Sequence, residues 1–371
     1  MRRINVLQMI GEFTSGGAES VVVNLAKSLN REKFSLTFTA RKDGPISKNL
    51  PVGSEFVILP KRNGFDLRHL LRLIEIIKVR KIDLIHSHLF GPNLFGFLAA
   101  KITKKKIIQT IHGRDCFSTW KRILAYRLML KFTDKIVTVS DPLGTEFRKR
   151  VGEDEKATIV HNGIDVGSFK KIIQRDKKLA SLGLPTRSKI IGSVGNIKPI
   201  KGHENLIQTM AILRKKEQYD VILAIIGEIY PKYASYKTML DKLITSLGLA
   251  DRIFFLGFRD DIPEILQAID YYVLPSISEG LSISLLEAMA ASRPIVATDV
   301  GMNSVVIQHG VNGLIVPPNS NEALAEALQK VISDPELSEE MGKKARKTVC
   351  SKYSSEAMSN RYLKLYEEIV L

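Results

Sequence analysis

Strand-like and helix-like segments alternate from one end of this chain to the other, and that alternation narrows the fold more than any other feature. INVLQMI (4–10) reads as a buried strand, and AESVVVNLAKSL (18–29) places Val21, Val22, Leu25 and Leu29 on one helical face. FSLTFTA (34–40) and FVIL (56–59) are strand-like, LRHLLRLIEIIKVRK is helical, and DLIHSH returns to a strand. PNLFGFLAAKI, KIIQTIHG, a helix over about 118–132, KIVTVS and ATIVHNGID continue the series. Such a series implies mostly parallel sheets with helices on both faces, the α/β class.

The rhythm breaks near 163–188, a charged stretch with Gly and Pro, and then restarts with KIIGSVGN, KGHENLIQTMAILRKK and VILAIIGE. The expected division is a doubly wound domain over 1–165, a linker over 166–188 and a second doubly wound domain over 189–352. A C-terminal helix over 353–371 is expected to pack back toward the first domain. After GLIVPP two helices are expected to end the chain. Two such domains face a central cleft, and ligands of open α/β sheets bind outside the carboxyl ends of the strands.

Composition places the chain among folded soluble proteins: 371 residues, 44% hydrophobic and 25% charged. No apolar run reaches the roughly 18–20 residues of a spanning helix. The start, MRRINVLQMIGEFTSGG, has the basic residues of a secretory leader. Its apolar run is only about seven residues, with no small-residue cleavage site, so a first strand and a cytoplasmic location are expected. Two cysteines make no disulfide framework. The net charge of +16 is unevenly spread: residues 1–180 hold 34 Lys+Arg against 17 Asp+Glu, and the remainder hold 21 against 22. A basic first half calls for an anionic partner. No nucleic-acid recognition motif accompanies it, so no nucleic acid is expected. The segment STWKRILAYRLMLKF (118–132) sets Trp120, Ile123, Leu124 and Leu128 beside Lys121, Arg122, Arg127 and Lys131. It fits either an anionic membrane surface or a helix that packs on its own sheet with its basic residues outward.

Four loops come after strands and carry residues suited to chemistry. In GEFTSGGAES, Gly16 and Gly17 precede a helix, where free amides and the helix dipole favour an anion; a turn that merely needs glycine explains them equally. In TIHGRD, His112 falls at a strand's carboxyl end, with Asp115 near enough to orient it. In GSVGNIKPIKGHENLI, Lys201 stands before a helix, where a cation opposes the dipole unless an anion offsets it. The Walker spacing is absent. In SISEGLSISLLEAMAAS, Glu279 and Gly280 form a turn, and the amides of Gly280, Leu281 and Ser282 make a second anion site. Ser284 to Glu287 matches a capping box, which would give Glu287 a purely local role.

The order Gly-Gly loop, His-Gly, Gly-x5-Lys-Gly and Glu-x7-Glu within EGLSISLLEAMAASRPIVATDVG, together with HGVNGLIVPP, resembles the retaining nucleotide-sugar glycosyltransferases of family four, which have the GT-B fold of two Rossmann-like domains. The resemblance covers essentially the whole chain. It implies that Glu279 contacts donor-sugar hydroxyls and that Glu287 binds the ribose. It further implies that Gly280, Leu281 and Ser282 meet the phosphates, Lys201 neutralises the diphosphate, and His112 stands near the transferred sugar. Gly16 and Gly17 lie by the phosphate and acceptor path, and Phe258 and Arg259 sit where the base is held, chiefly by backbone. The family's usual arginine is Asn196 here, with Lys198 as a substitute charge. AAG becomes Ala290-Ala291-Ser292, and Gly-Gly-x-x-Glu becomes Gly301-Met302-Asn303-Ser304-Val305.

The resemblance thus implies a retaining transferase that needs no metal and no cofactor, with a UDP-sugar favoured as donor. Its acceptor would be a glycan or lipid-linked molecule in cell-surface polysaccharide or lipopolysaccharide synthesis, at the cytoplasmic face of the membrane. A related GT-B enzyme such as a nucleotide-sugar epimerase, and a non-catalytic sugar or anion binder, are the competing readings.

Overall fold

A computed structural model of the chain describes residues 3–14, 16–62, 64–215 and 220–370. It divides into two compact units: Met1–Gly163 with Ser355–Leu371, and Ile164–Ser354.

The first unit holds seven parallel strands: β1 (Ile4–Met9), β2 (Phe34–Ala40), β3 (Glu55–Ile58), β4 (Leu84–His88), β5 (Lys106–Ile111), β6 (Lys135–Thr138) and β7 (Ala157–Ile159), in the order β3-β2-β1-β4-β5-β6-β7. Central strands covered on both faces are mostly apolar, although β1 and β5 also bury the polar side chains of Gln8, Gln109 and Thr110. The core joins Leu7, Ile85, Ile107 and Ile136 of the sheet to Leu73, Ile77, Tyr126 and Phe147 of its helices. Asp66 fixes the start of helix Leu67–Val79 by accepting from the amides of Arg68 and His69. The C-terminal helix Ser355–Val370 belongs to this unit, packs on helix Gly17–Ser28, and sets Tyr366 edge-on to Phe34.

The second unit repeats the plan with six parallel strands: β8 (Lys189–Val194), β9 (Val221–Ile226), β10 (Ile253–Phe255), β11 (Tyr271–Leu274), β12 (Ile295–Thr298) and β13 (Leu314–Val316), in the order β10-β9-β8-β11-β12-β13. Its core gathers Ile191, Leu223, Val273 and Val296 with Leu206, Leu240 and Leu328 of the helices. In each sheet the chain winds outward from its first strand, returns, and winds out on the other side. The switch points fall between β1 and β4 and between β8 and β11, where this architecture opens a crevice at the strand ends.

Two details differ from the sequence reading. Residues 166–188 are an ordered part of the second unit: Phe169 and Leu179 are buried there, and Arg175 reaches Asp270 at 2.8 Å. The chain ends in three helices, Asn321–Ser333, Pro335–Lys352 and Ser355–Val370. The first two look continuous in sequence, but Asp334 caps the second through the Leu337 amide at 2.9 Å, and Pro335 takes its first position. No helix among the described residues is long and apolar enough to cross a membrane.

Candidate active site

The second unit assembles three loops at its switch point. After β8 the chain runs through Gly195 into a tight turn, Pro199–Lys201, and then helix His203–Lys215. Gly202 between them has φ 68°, and a Cβ there would lie 2.0 Å from the carbonyl oxygen of Pro275 at the end of β11. Only glycine combines that conformation with that approach. The Ile277 amide returns a bond to the Ile200 carbonyl at 2.9 Å. Gly301, φ 61°, closes the third side, because a Cβ there would meet the carbonyls of Glu279 and Gly280, and the Met302 amide donates to Gly280 at 2.9 Å.

This lacing brings Lys201 and Glu279 together from positions far apart in the chain. Lys201 Nζ lies 2.5 Å from Glu279 Oε1, which also accepts from the Ser276 hydroxyl at 2.6 Å. Both side chains are mostly covered. The cation that would oppose the helix dipole is therefore offset by Glu279, and no bound anion is needed to explain its place. The pair is a half-buried dipole beside the start of helix Ile283–Ala290, where the amides of Gly280 and Ser282 donate to no group among the described residues.

Glu287 is free of the capping role. The helix is capped by Ser282, whose hydroxyl accepts from the Leu285 amide at 3.4 Å, so the third helical position is Leu285. Ser284, the cap read from the sequence, instead bonds Tyr272 at 2.9 Å and Ser282 at 3.1 Å. Glu287 stands one turn further in, without a hydrogen-bond partner among the described residues, and burial lifts its carboxyl to about 7. A lone carboxyl held this way accepts hydroxyl donors well once a ligand brings them.

The other residues singled out in this unit are placed differently. Asn196 accepts from the Glu228 amide at 3.3 Å and so ties two loops. Lys198, at the start of the Pro199–Lys201 turn, is half-buried. Phe258 is exposed. Arg259 is spent on Asp261, at 2.8 and 2.6 Å, and Asp261 is also held by Lys178. These two cations, the Arg259 hydrogen bonds foremost, hold the Asp261 carboxyl down at about 2.

In the first unit Gly16 starts helix Gly17–Ser28, but Glu19 folds back over it: a Cβ on Gly16 would lie 2.1 Å from the Glu19 carboxyl. Burial raises that carboxyl to about 7. The anion cradle expected at Gly16 and Gly17 is thus filled by the chain's own acid. His112 is the half-buried end of a chain of side chains. Its Nε2 lies 2.9 Å from His88 Nδ1, and His88 Nε2 lies 2.9 Å from the Gln8 carboxamide. The far end of that amide is 2.9 Å from the Tyr366 hydroxyl, which is 2.6 Å from His86 Nδ1. His86 Nε2 meets Thr110 Oγ1 at 2.7 Å, and Thr110 meets the Tyr362 hydroxyl at 3.2 Å. Burial pushes His86 and His112 down to about 3 and His88 well below the ordinary range, so all three rings are neutral. Asp115 reaches none of them through its side chain in the bonds described.

Two family models meet on this chain: Glycosyltransferase Family 4 matches residues 15–168, and Glycosyl transferases group 1 matches residues 174–348. The chain belongs to glycosyltransferase family four. An Escherichia coli UDP-Gal:alpha-D-GlcNAc-diphosphoundecaprenol alpha-1,3-galactosyltransferase is 25% identical over 96% of this chain and 94% of its own length. A Bacillus anthracis N-acetyl-alpha-D-glucosaminyl L-malate synthase is 28% identical over 82% and 80%. Among solved structures, Anabaena HepE in complex with UDP and glucose superposes with a TM-score of 0.88 at 21% identity, covering 99% of this chain and all of HepE. The fold is that of the GT-B glycosyltransferases, and the protein is a nucleotide-sugar glycosyltransferase.

Sequence reasoning misses much of the first unit of this glycosyltransferase. His86, His88, Gln8, Tyr362 and Tyr366 read as strand or helix and nothing more. The signal that could find them is the pair His86 and His88 at spacing two, which puts two polar rings on one face of a strand meant to be buried. A cavity of about 270 Å³ at the ends of β1 to β4 leaves no motif in the sequence either. Met9, Leu59 and Phe95 form its apolar wall, and Arg41, Lys61 and His69 its polar one. Leu89, also in its lining, has φ 72°, a strained conformation for a branched residue.

Proposed function

We propose that this glycosyltransferase is a retaining, metal-independent enzyme. It moves a sugar from a nucleoside-diphosphate sugar, UDP-linked by preference, to a glycan or lipid-linked acceptor in cell-surface polysaccharide or lipopolysaccharide synthesis. The observation that carries the reading is the Lys201–Glu279 pair set against the open amides of Gly280 and Ser282, with unpaired Glu287 one turn beyond. A nucleotide sugar needs those groups in that order. Glu279 accepts from the sugar hydroxyls, Lys201 and the amides face the diphosphate, and Glu287 accepts from the ribose. Leu281 lines the same turn, and Phe258 and Arg259 flank the base through their backbone. Gly16, Gly17, Asn196 and Lys198 shape the approaches rather than the charge.

In the transfer step the bond from the anomeric carbon to the phosphate oxygen breaks, and the acceptor oxygen bonds to the same face of that carbon. The acceptor proton passes to the departing diphosphate. Negative charge grows on that diphosphate, and Lys201 with the helix amides stabilises it without rearrangement. His112 serves the transferred sugar as a neutral hydrogen-bonding group. The cavity in the first unit, with its apolar wall and its cations, suits an acceptor that joins a phosphate to a hydrocarbon, and the galactosyltransferase relative is named for such an acceptor. Helix Trp120–Phe132 buries Tyr126, Met129 and Leu130 and exposes Trp120, Leu124, Leu128 and Phe132 beside Lys121, Arg127 and Lys131. That face suits an anionic membrane at the cytoplasmic side.

The test is a panel of nucleotide sugars read by thermal shift, then product analysis. A UDP-sugar should raise the melting temperature by mass action without added divalent metal, and the product should keep the donor's anomeric configuration. Stabilisation that appears only with metal, or an inverted product, would refute the corresponding part of the reading.

A further inference from the structure

The buried chain from His112 to Tyr362 can be written with its protons running in either direction. Gln8 turns its oxygen to His88 and its nitrogen to Tyr366, which suits protons running inward from His112. The two ends of a carboxamide fill the same space, so the flipped amide makes the same two links and suits protons running outward. Running inward, His112 Nε2–H donates to His88, His88 to the Gln8 oxygen, the Gln8 N–H to Tyr366, Tyr366 to His86, and His86 to Thr110. Thr110 and Tyr362 then hold two hydroxyl protons between them. Only one has an acceptor, because neither oxygen has another partner among the described residues. Running outward, Tyr362 donates to Thr110, Thr110 to His86 Nε2, His86 Nδ1–H to Tyr366, Tyr366 to the Gln8 oxygen, the Gln8 N–H to His88, and His88 Nδ1–H to His112 Nε2. No hydroxyl proton is stranded, and the one donor left without a protein partner is His112 Nδ1–H, on the ring that is not fully buried. The second N–H of Gln8 is unused in both directions and cancels.

A buried hydroxyl proton without an acceptor is costly, enough to set a ratio of about tenfold or more between the two directions. The chain also ends blind at Tyr362, which is buried. It has no second mouth through which a net proton could pass, so it does not conduct protons.

We propose that this chain is a tautomer lock, in which Tyr366 and Gln8 are positioning residues that keep the proton of His112 on Nδ1. Nδ1 is the nitrogen of His112 that takes no partner among the described residues, and His112 is the one ring of the three that is not fully buried. The enzyme therefore presents a neutral N–H donor at the end of β5, and the base lone pair points into the protein. The C-terminal helix sets this state from a position more than 250 residues away in sequence. The lock itself depends only on the first unit. Its consequence for transfer rests on the proposed role of His112.

The experiment is nitrogen NMR on the full chain labelled with ¹⁵N-histidine, with the His112 signal assigned by its loss in His112→Asn. In the wild type, His112 should be the Nδ1–H tautomer by about ten to one or more. Tyr366→Phe cuts the chain and should leave a mixture of both tautomers. Tyr362→Phe should keep the wild-type ratio, because Thr110 still donates to His86. If Tyr366→Phe does not fold by circular dichroism, Gln8→Leu cuts the chain at the neighbouring link and is read in the same way. A wild-type proton on Nε2, or an unchanged ratio in a folded cut variant, overturns the lock. A shifted ratio with no change in kcat leaves the lock standing and removes His112 from the reaction.

Discussion

The two units share one strand order and differ in what they place at its switch point. In the second unit, ions meet: Lys201 against Glu279, with open amides and an unpaired acid nearby. In the first unit, the polar groups at the equivalent strands are neutral rings, an amide and hydroxyls, and the glycine-rich helix start is filled by Glu19. The topology supplies a crevice at the strand ends in either case. On the proposed reading, the side chains at the ends of the strands and in the loops after them suit one crevice to a diphosphate and the other to an uncharged hydroxyl. A donor brings charge that changes during the reaction, and preorganised ions answer it. A sugar hydroxyl brings none, and a neutral donor held in one tautomer answers that at lower desolvation cost.

The largest test of this division is Lys201→Ala. It removes the cation proposed to face the diphosphate and leaves the mostly covered Glu279 without its cationic partner, so kcat should fall by at least about 100-fold. Steady-state kinetics that stay near wild type would remove Lys201 from the reaction. His112→Ala should cost less, roughly 30-fold in kcat, while the UDP dissociation constant by titration calorimetry stays put. A matching loss of UDP affinity would mean that the neutral unit also binds the nucleotide, and the contrast between the units would fail. Smaller again is the double variant Trp120→Ser, Leu124→Ser, which strips half of the exposed stripe. Co-sedimentation with vesicles containing phosphatidylglycerol should weaken by about tenfold. Vesicle binding that is absent in the wild type at low salt would dispose of the membrane face altogether.

The contrast also explains what could be read from the sequence. Alternating apolar runs make both sheets legible, because parallel strands buried on two faces leave little freedom in composition. The second unit's loops are legible because each loop's signature is local, Lys201 beside Gly202 and Glu279 beside Gly280, although the contacts that lace the loops together are not. The capping box misleads because Ser282 and Ser284 are both competent caps, and only the Tyr272 hydroxyl, which engages Ser284, decides between them. The first unit's chain is not legible. Its links run from Gln8 to Tyr366 and from Thr110 to Tyr362, separations of 358 and 252 residues. Each residue alone has an ordinary explanation inside a strand or a helix. The anion that the helix dipole seemed to require at Lys201 is unnecessary for a related reason, since the offsetting charge lies 78 residues away.

The smallest effect sharpens the second unit's side of the contrast. Burial holds the Glu287 carboxyl at about 7 in the folded protein, against an ordinary value of 4.5. Below about pH 4.5 the group is protonated folded or unfolded and costs nothing. As pH rises from there to about 7, the unfolded chain ionises and the folded one resists, so stability falls across that window and then levels. Glu287→Gln removes the titration. In the absence of nucleotide the variant should melt higher than wild type at pH 8 and match it near pH 4.5. Glu19, raised by burial in the same way, keeps its own slope in both proteins and cancels in the difference. The same substitution leaves a single neutral amide oxygen where the carboxyl proposed to accept from the ribose hydroxyls stood, so UDP affinity should drop about fivefold. Opposite signs in the two measurements are what a binding acid kept buried at a cost to the fold requires. A variant that is both less stable and unchanged in UDP affinity would return Glu287 to an ordinary structural role.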